Sequence, residues 1–146
     1  GISDQVEKIL KNNQSIEFVT LNSDGGLLYE ARKLSKLILL NSLNTHTNEG
    51  CRSACTIAYI SGNKRYIYKD ADLGFHQYSI ARPNARVDKL TLLDLINDQQ
   101  EDAQFFQKRG VSKIFTDQMY KYEADDMWHP PVSNLKRYGV IHKILE

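Results

Sequence analysis

LNSDGGLLYEARKLSKLI, residues 21–38, decides how this chain is read. It overlaps SIEFVTL (15–21), where Ile16 and Phe18 alternate against Val19 and Leu21 with the two-residue period of a strand. NSDGG (22–26) then breaks the pattern with polar turn formers and paired glycines. Beyond it Leu27, Leu28, Ala31, Leu34 and Ile38 fall at helical spacing, up to about Asn41. The periodicity changes across the glycines, so the stretch reads as strand, turn, helix.

The same unit recurs downstream. THTNEG (45–50) is a polar strand, CRSA (51–54) a turn, and CTIAYISG (55–62) a short apolar helix closed by Gly62. KRYIY (64–68) and LGFH (73–76) read as strands around a loop holding Asp70 and Asp72. A long helix is expected over 87–109, with Leu90, Leu93, Ile96, Ala103 and Phe106 among its apolar positions. Helices over 112–122 and 132–138 and a closing strand VIHKIL (140–145) complete the second half. Upstream, SDQVEKILKNN (3–13) predicts a helix with Ser3 as its cap. Strands alternating with helices predict an α/β layered fold, with residues 1–146 as one domain.

Composition narrows the function classes. Hydrophobic residues make up 41% and charged ones 25%, which suits a folded core rather than a disordered chain. The 19 basic and 18 acidic side chains are mixed along the sequence, so neither a nucleic-acid footprint nor a polybasic membrane patch is present. The longest apolar run, LILL at 37–40, is too short to cross a bilayer. The chain runs almost at once from Gly1 into helical pattern, as an excised piece would, which leaves room for a leader or membrane tether outside these residues.

The chemistry centres on CRSAC (51–55), which holds the two cysteines of the sequence around Ser53. A serine hydroxyl needs a base within reach, a group to orient that base, and donors for the oxyanion. A strand-to-helix turn supplies free backbone N–H groups and a favourable dipole. His76 ends a later strand, and the glycines of NSDGG let the backbone approach a reacting centre. Taken singly, each feature has an ordinary explanation: an N-cap, an edge histidine, a turn. Their order along the chain is what carries weight.

LNSDGGLLYEARKLSKLI, then CRSACTIAYISGNKR, then LGFHQY, then YGVIHKIL resembles the proteolytic subunit of Clp proteases and its relatives. The resemblance runs from about Ile16 to Leu145. It implies the ClpP/crotonase-like fold of repeated ββα units, the long helix occupying the place of the handle. Carried over by position, Ser53 matches the nucleophile and His76 the general base. Gly26 and Ala54 match the backbone donors of the oxyanion hole. The third member of a Ser-His-Asp triad falls in EADDMWHPPVS, at Asp126, with Asp125 as the alternative. The implied activity is hydrolysis of peptide bonds in a peptide or protein substrate, by a homo-oligomer, without metal or organic cofactor. The Met-Trp-His-Pro segment departs from the Clp pattern and is more like ClpP-like proteins that are often exported or membrane-tethered.

Cys51 and Arg52 stand where Clp subunits have small uncharged residues. A zinc site would need two more ligands, and His46 is the only nearby candidate. C-x-x-x-C is also not the C-x-x-C of thioredoxin-like redox proteins. Two readings stand: a disulfide across the elbow, or two reduced cysteines packed as small apolar residues. A bridge closing so short a loop contributes only about 2 kcal/mol through chain entropy. It would rigidify the nucleophile turn and would point to an extracytoplasmic compartment; reduced cysteines would point to the cytoplasm. Arg65 reads as a surface ion-pair residue, His129 and His142 as surface or edge histidines, and Trp128 as a packing anchor. Lys64 and Lys69 raise a serine-lysine dyad, which the histidine of LGFH disfavours. Two rivals remain on the same fold: a non-proteolytic acyl-CoA enzyme and a catalytically degenerate scaffold.

Overall fold

Each extended stretch in the first half of the chain is split by a polar turn, so each contributes to two different sheets. The computed structural model describes residues 1–79 and 89–146. In order, the elements are α1 (Ile2–Asn12), β1 (Phe18–Thr20), α2 (Leu28–Leu40), β2 (Asn44–Thr47), β3 (Gly50–Arg52) and α3 (Cys55–Ile60). They continue as β4 (Arg65–Tyr68), β5 (Asp72–Gly74), α4 (Lys89–Lys108), α5 (Lys113–Met119), α6 (Val132–Arg137) and β6 (Lys143–Leu145). The expected start of the long helix at Val87, and the side chain of Leu90, lie outside the described residues.

The larger sheet has the order β1-β2-β4-β6 and the smaller pairs β3 with β5, all parallel. A parallel bridge from Ser23 to Cys51 adds one residue beside β3. The ββα repeat is therefore visible three times: β1, Ser23 and α2; β2, β3 and α3; β4, β5 and α4. Parallel neighbours need a crossover, and the helices supply it.

The strand read as THTNEG is in fact two, β2 and β3, with the break at Asn48 and Glu49. Its threonines, Thr45 and Thr47, are fully buried. Burying a hydroxyl is tolerable only with a partner. Thr45 Oγ1 donates to Tyr59 O at 2.8 Å and Thr47 Oγ1 to Asn22 Oδ1 at 2.9 Å. The same Asn22 oxygen accepts the N–H groups of Asn48 and Glu49, at 3.2 and 3.1 Å, which ties the second turn to the first.

Ser3 is not the cap of α1. It lies inside the helix, 1% exposed, and both its N–H and Oγ donate to Glu30 Oε2, at 3.1 and 2.8 Å. Gly1 takes the cap position instead. On α4 the expected apolar stripe divides: Phe106 is buried against Phe75, while Leu93 and Ile96 stay exposed. Trp128 is the anchor its neighbours suggested, stacked on Tyr122 and packed against Phe75 and Phe115.

Arg65 overturns its surface assignment. It is 2% exposed and bonded to five main-chain oxygens: Val140 (2.8 Å), Gly139 (2.9 Å), Arg109 (3.0 Å), Gly62 (3.2 Å) and Ile60 (3.5 Å). Those oxygens sit at the C-terminal ends of α3, α4 and α6, where carbonyls lack intrahelical partners and the dipole is negative. Burial, with Arg109 adding repulsion, pulls the Arg65 pKa down to about 10, which still leaves it charged at neutral pH. Its own N–H donates to His142 Nδ1 at 2.9 Å, so that histidine is a structural acceptor rather than a free edge residue. Burial, with the nearby arginines, lowers the His142 pKa and keeps the ring neutral.

Arg65→Met should lower the free energy of unfolding by about 3–5 kcal/mol, measured by urea titration, because it strands buried carbonyls. Arg65→Lys should recover only part of that, since an ammonium has three donors and no fork.

Candidate active site

The smaller sheet delivers its chain segments to one end. Ser23, Cys51 and Leu73 lie side by side, as the Ser23–Cys51 bridge and the Cys51–Leu73 register show. Running in parallel, the three segments leave the sheet together at their carboxyl ends, where α/β proteins place their sites. The first becomes the Gly25–Gly26 turn, the second Ser53, and the third Phe75 and His76.

Ser53 closes β3 with its N–H donating to Gly74 O at 2.8 Å, and the chain then turns sharply into α3. Its φ is +55°, in the left-handed region that non-glycine residues seldom occupy. Such strain costs about 1–3 kcal/mol and persists only where the surroundings enforce it. Here the enforcement is visible. Thr56 N–H and Oγ1 both donate to Ser53 O, at 3.0 and 2.7 Å, and a disulfide joins Cys51 to Cys55 with Cα atoms 5.3 Å apart. Thiols joined in this way are not available to ligate zinc.

Gly25 is the residue that meets the serine. Its φ is +118°, and a Cβ there would stand 2.7 Å from Ser53 Cβ and 3.2 Å from Ser53 Oγ. Gly26, with φ +143°, faces open space. Together with Ala54 and Cys55 it lines an apolar cleft of about 390 Å³, walled by Leu27, Ala31 and Leu34 of the α2 region. Sequence reasoning singled out Gly26 and overlooked Gly25; the paired glycines were the available signal.

On the other side of the elbow, Ser53 and His76 share the wall of a small depression with Thr56, Phe75, Tyr78, Met119 and Tyr120. No hydrogen bond joins Ser53 Oγ to His76 among the described residues. His76 Nδ1 is bonded to the Gln77 carbonyl. A carbonyl can only accept, so Nδ1 is the donor in this bond, and in the neutral ring the lone pair then lies on Nε2. That is the tautomer a general base requires.

Asp125 and Asp126 are exposed, on a turn in which Asp126 N–H donates to Glu123 O at 3.0 Å. The flanks of that turn are tied to the histidine strand: Phe75 pairs with Trp128, and Gln77 N–H donates to Tyr122 O at 2.7 Å. The turn therefore stands beside His76, yet the bond from Nδ1 goes to Gln77 and to neither aspartate.

A buried carboxylate reaches the segment after this strand, and the sequence did not flag it. Asp102, 6% exposed, accepts from Tyr78 OH at 2.6 Å and Arg32 Nη2 at 2.7 Å, and Tyr78 OH meets Tyr120 OH at 3.0 Å. Burial raises the pKa of both phenols, so they remain protonated donors. The network docks the segment after His76 onto α4 and sets two of the rings that line the depression. His129, read from sequence as a surface histidine, pairs through Nδ1 with Asp72 at 2.7 Å. Burial raises the Asp72 carboxyl, but hydrogen bonds from Arg52 and His129 outweigh it and hold the pKa below the ordinary carboxylate value.

Two outcomes are expected. Thiol titration of the denatured, unreduced protein should find no reactive group, and two after reduction. Gly25→Ala should destabilise the fold by about 1–3 kcal/mol. It should also slow phosphonylation of Ser53 by a fluorophosphonate about a hundred-fold, because the new methyl displaces the serine.

No family model and no curated protein matches the sequence. Solved structures do match. ClpP1 from Listeria monocytogenes superposes with a TM-score of 0.73 at 15% identity, covering 99% of this chain and 82% of its own. A point mutant of that protein gives a TM-score of 0.78 at 16% identity, covering 99% and 84%. At that identity the likeness is one of architecture, and its extent is nearly complete: the chain has the ClpP1 fold.

Proposed function

We propose that this chain is a serine-type peptidase acting on peptide or protein substrates. The observation that carries the reading is the strained elbow. Ser53 is held at φ +55° on a sharp strand-to-helix turn where the glycine turn and the histidine strand meet it, which is the geometry of a nucleophile elbow. In this reading Ser53 Oγ attacks the peptide carbonyl, and His76 Nε2 takes its proton and returns it to the leaving amine. The N–H groups of Gly26 and Ala54 hold the oxyanion, and water then releases the acyl group. Asp126, or Asp125 in its place, orients His76 when the 122–128 segment closes on it. Residues 1–146 act as one domain without metal or organic cofactor.

Leu92, Leu93 and Ile96 leave an apolar face of α4 exposed, which supports self-association. The disulfide supports an oxidising, extracytoplasmic setting. A second reading, a catalytically silent scaffold, is favoured by one observation: His76 Nδ1 is bonded to a carbonyl rather than a carboxylate.

A fluorophosphonate probe separates them. It should label Ser53 and leave Ser53→Ala unlabelled, while His76→Ala should slow labelling about a thousand-fold. Absence of labelling in the assembled wild-type protein would favour the scaffold.

A further inference from the structure

Arg52, the residue immediately before Ser53, has no part in the chemistry just described, yet it is bonded to the glycine turn and to the start of the histidine strand. Its side chain lies along the face of the β3–β5 sheet. Nε donates to Asp72 Oδ2 at 2.8 Å and Nη2 to Asp72 Oδ1, a bidentate pair. The remaining nitrogen, Nη1, donates to Asp24 Oδ1 at 2.6 Å. Asp72 Oδ2 also meets His129 Nδ1 at 2.7 Å. Asp24 adjoins Gly25, which abuts Ser53; Asp72 begins the strand that ends near His76; His129 follows Trp128, whose backbone pairs with Phe75.

The sheet is cut to receive this side chain. A Cβ on Gly50 would fall 2.5 Å from Arg52 Nη2 and 2.7 Å from Asp72 Oδ1. One on Gly74 would fall 3.1 Å from Arg52 Cγ and into Met127 Sδ. Gly50 lies two residues before Arg52 on the same strand, and Gly74 is its register partner on the neighbouring one.

Stability alone does not account for the arrangement. The Asp24 carboxylate is 88% exposed, and such a pair contributes little in water. What a bidentate fork supplies is fixed direction. Catalytic geometry is sensitive to displacements of about 1 Å, which can cost a hundred-fold in rate. We propose that Arg52 is a positioning residue, its guanidinium locking the glycine turn, the serine elbow, the histidine strand and the 127–129 segment in one register. The inference rests on the peptidase reading for its consequence, and on the ion-pair geometry for its substance.

Arg52→Met should lower kcat for a fluorogenic peptide by 10- to 100-fold with KM changed less than about threefold, and slow fluorophosphonate labelling of Ser53 equally. Asp72→Asn should act in the same direction, and the double variant should lose no more than the worse single one. Arg52→Lys should recover part of kcat. Amide hydrogen exchange reads the lock without chemistry: peptides covering 22–27, 72–78 and 122–129 should exchange faster in Arg52→Met than in wild type, and peptides from α6 should not. Wild type that neither labels nor hydrolyses would overturn the peptidase reading, and exchange would still decide the lock. Exchange that is unchanged in all three segments, or that rises uniformly with global unfolding, would overturn the positioning role.

Discussion

The fold turns on a buried cation that has no carboxylate partner among the described residues. Arg65 sits under the ends of three helices, and its charge is balanced by main-chain oxygens rather than by a carboxylate. Arg109 repeats the pattern from α4, donating to Ile60, Ser61 and Gly62. A helix end buried without partners would carry unsatisfied carbonyls. The two arginines let α3, α4 and α6 terminate at one point inside the molecule. That convergence fixes where α3 starts as well as where it stops, and the residue before its N-cap is Ser53.

From that anchor the site follows by register. Parallel strands keep their neighbours in step, so a turn after each strand opens at the same end. The glycine turn, the elbow and the histidine strand meet there because Ser23, Cys51 and Leu73 are already aligned. The backbone at Ser53 is unfavourable by about 1–3 kcal/mol, and the short disulfide loop contributes about 2 kcal/mol of a comparable size. The local distortion and the local constraint are thus matched in scale. Each is appreciable beside the net stability of about 5–15 kcal/mol that a domain of this kind has.

Much of this could be read from residues alone, and the failures have physical causes. The strand, turn and helix of 16–38 were legible because the apolar period changes across two glycines. Ser53, His76 and the paired cysteines stood out because each lies at an abrupt break. The division of 45–52 into two strands was not legible: Thr45 and Thr47 are polar letters whose burial depends on acceptors supplied by Tyr59 and Asn22. Arg65 looked like a surface residue because nothing local shows that three helix ends gather around it. The carboxylate for His76 stayed ambiguous because 123–126 is an exposed turn without periodicity, and Asp102, buried beside the strand through Tyr78, is far off in sequence.

Arg65 also bears on how such a chain drifts over evolutionary time. Its partners are backbone oxygens, which every amino acid possesses, so the surrounding side chains can be exchanged without breaking the junction. An architecture braced in this way constrains few letters of its own text. That offers a physical route by which a protein can keep the outline of ClpP1 at 16% identity.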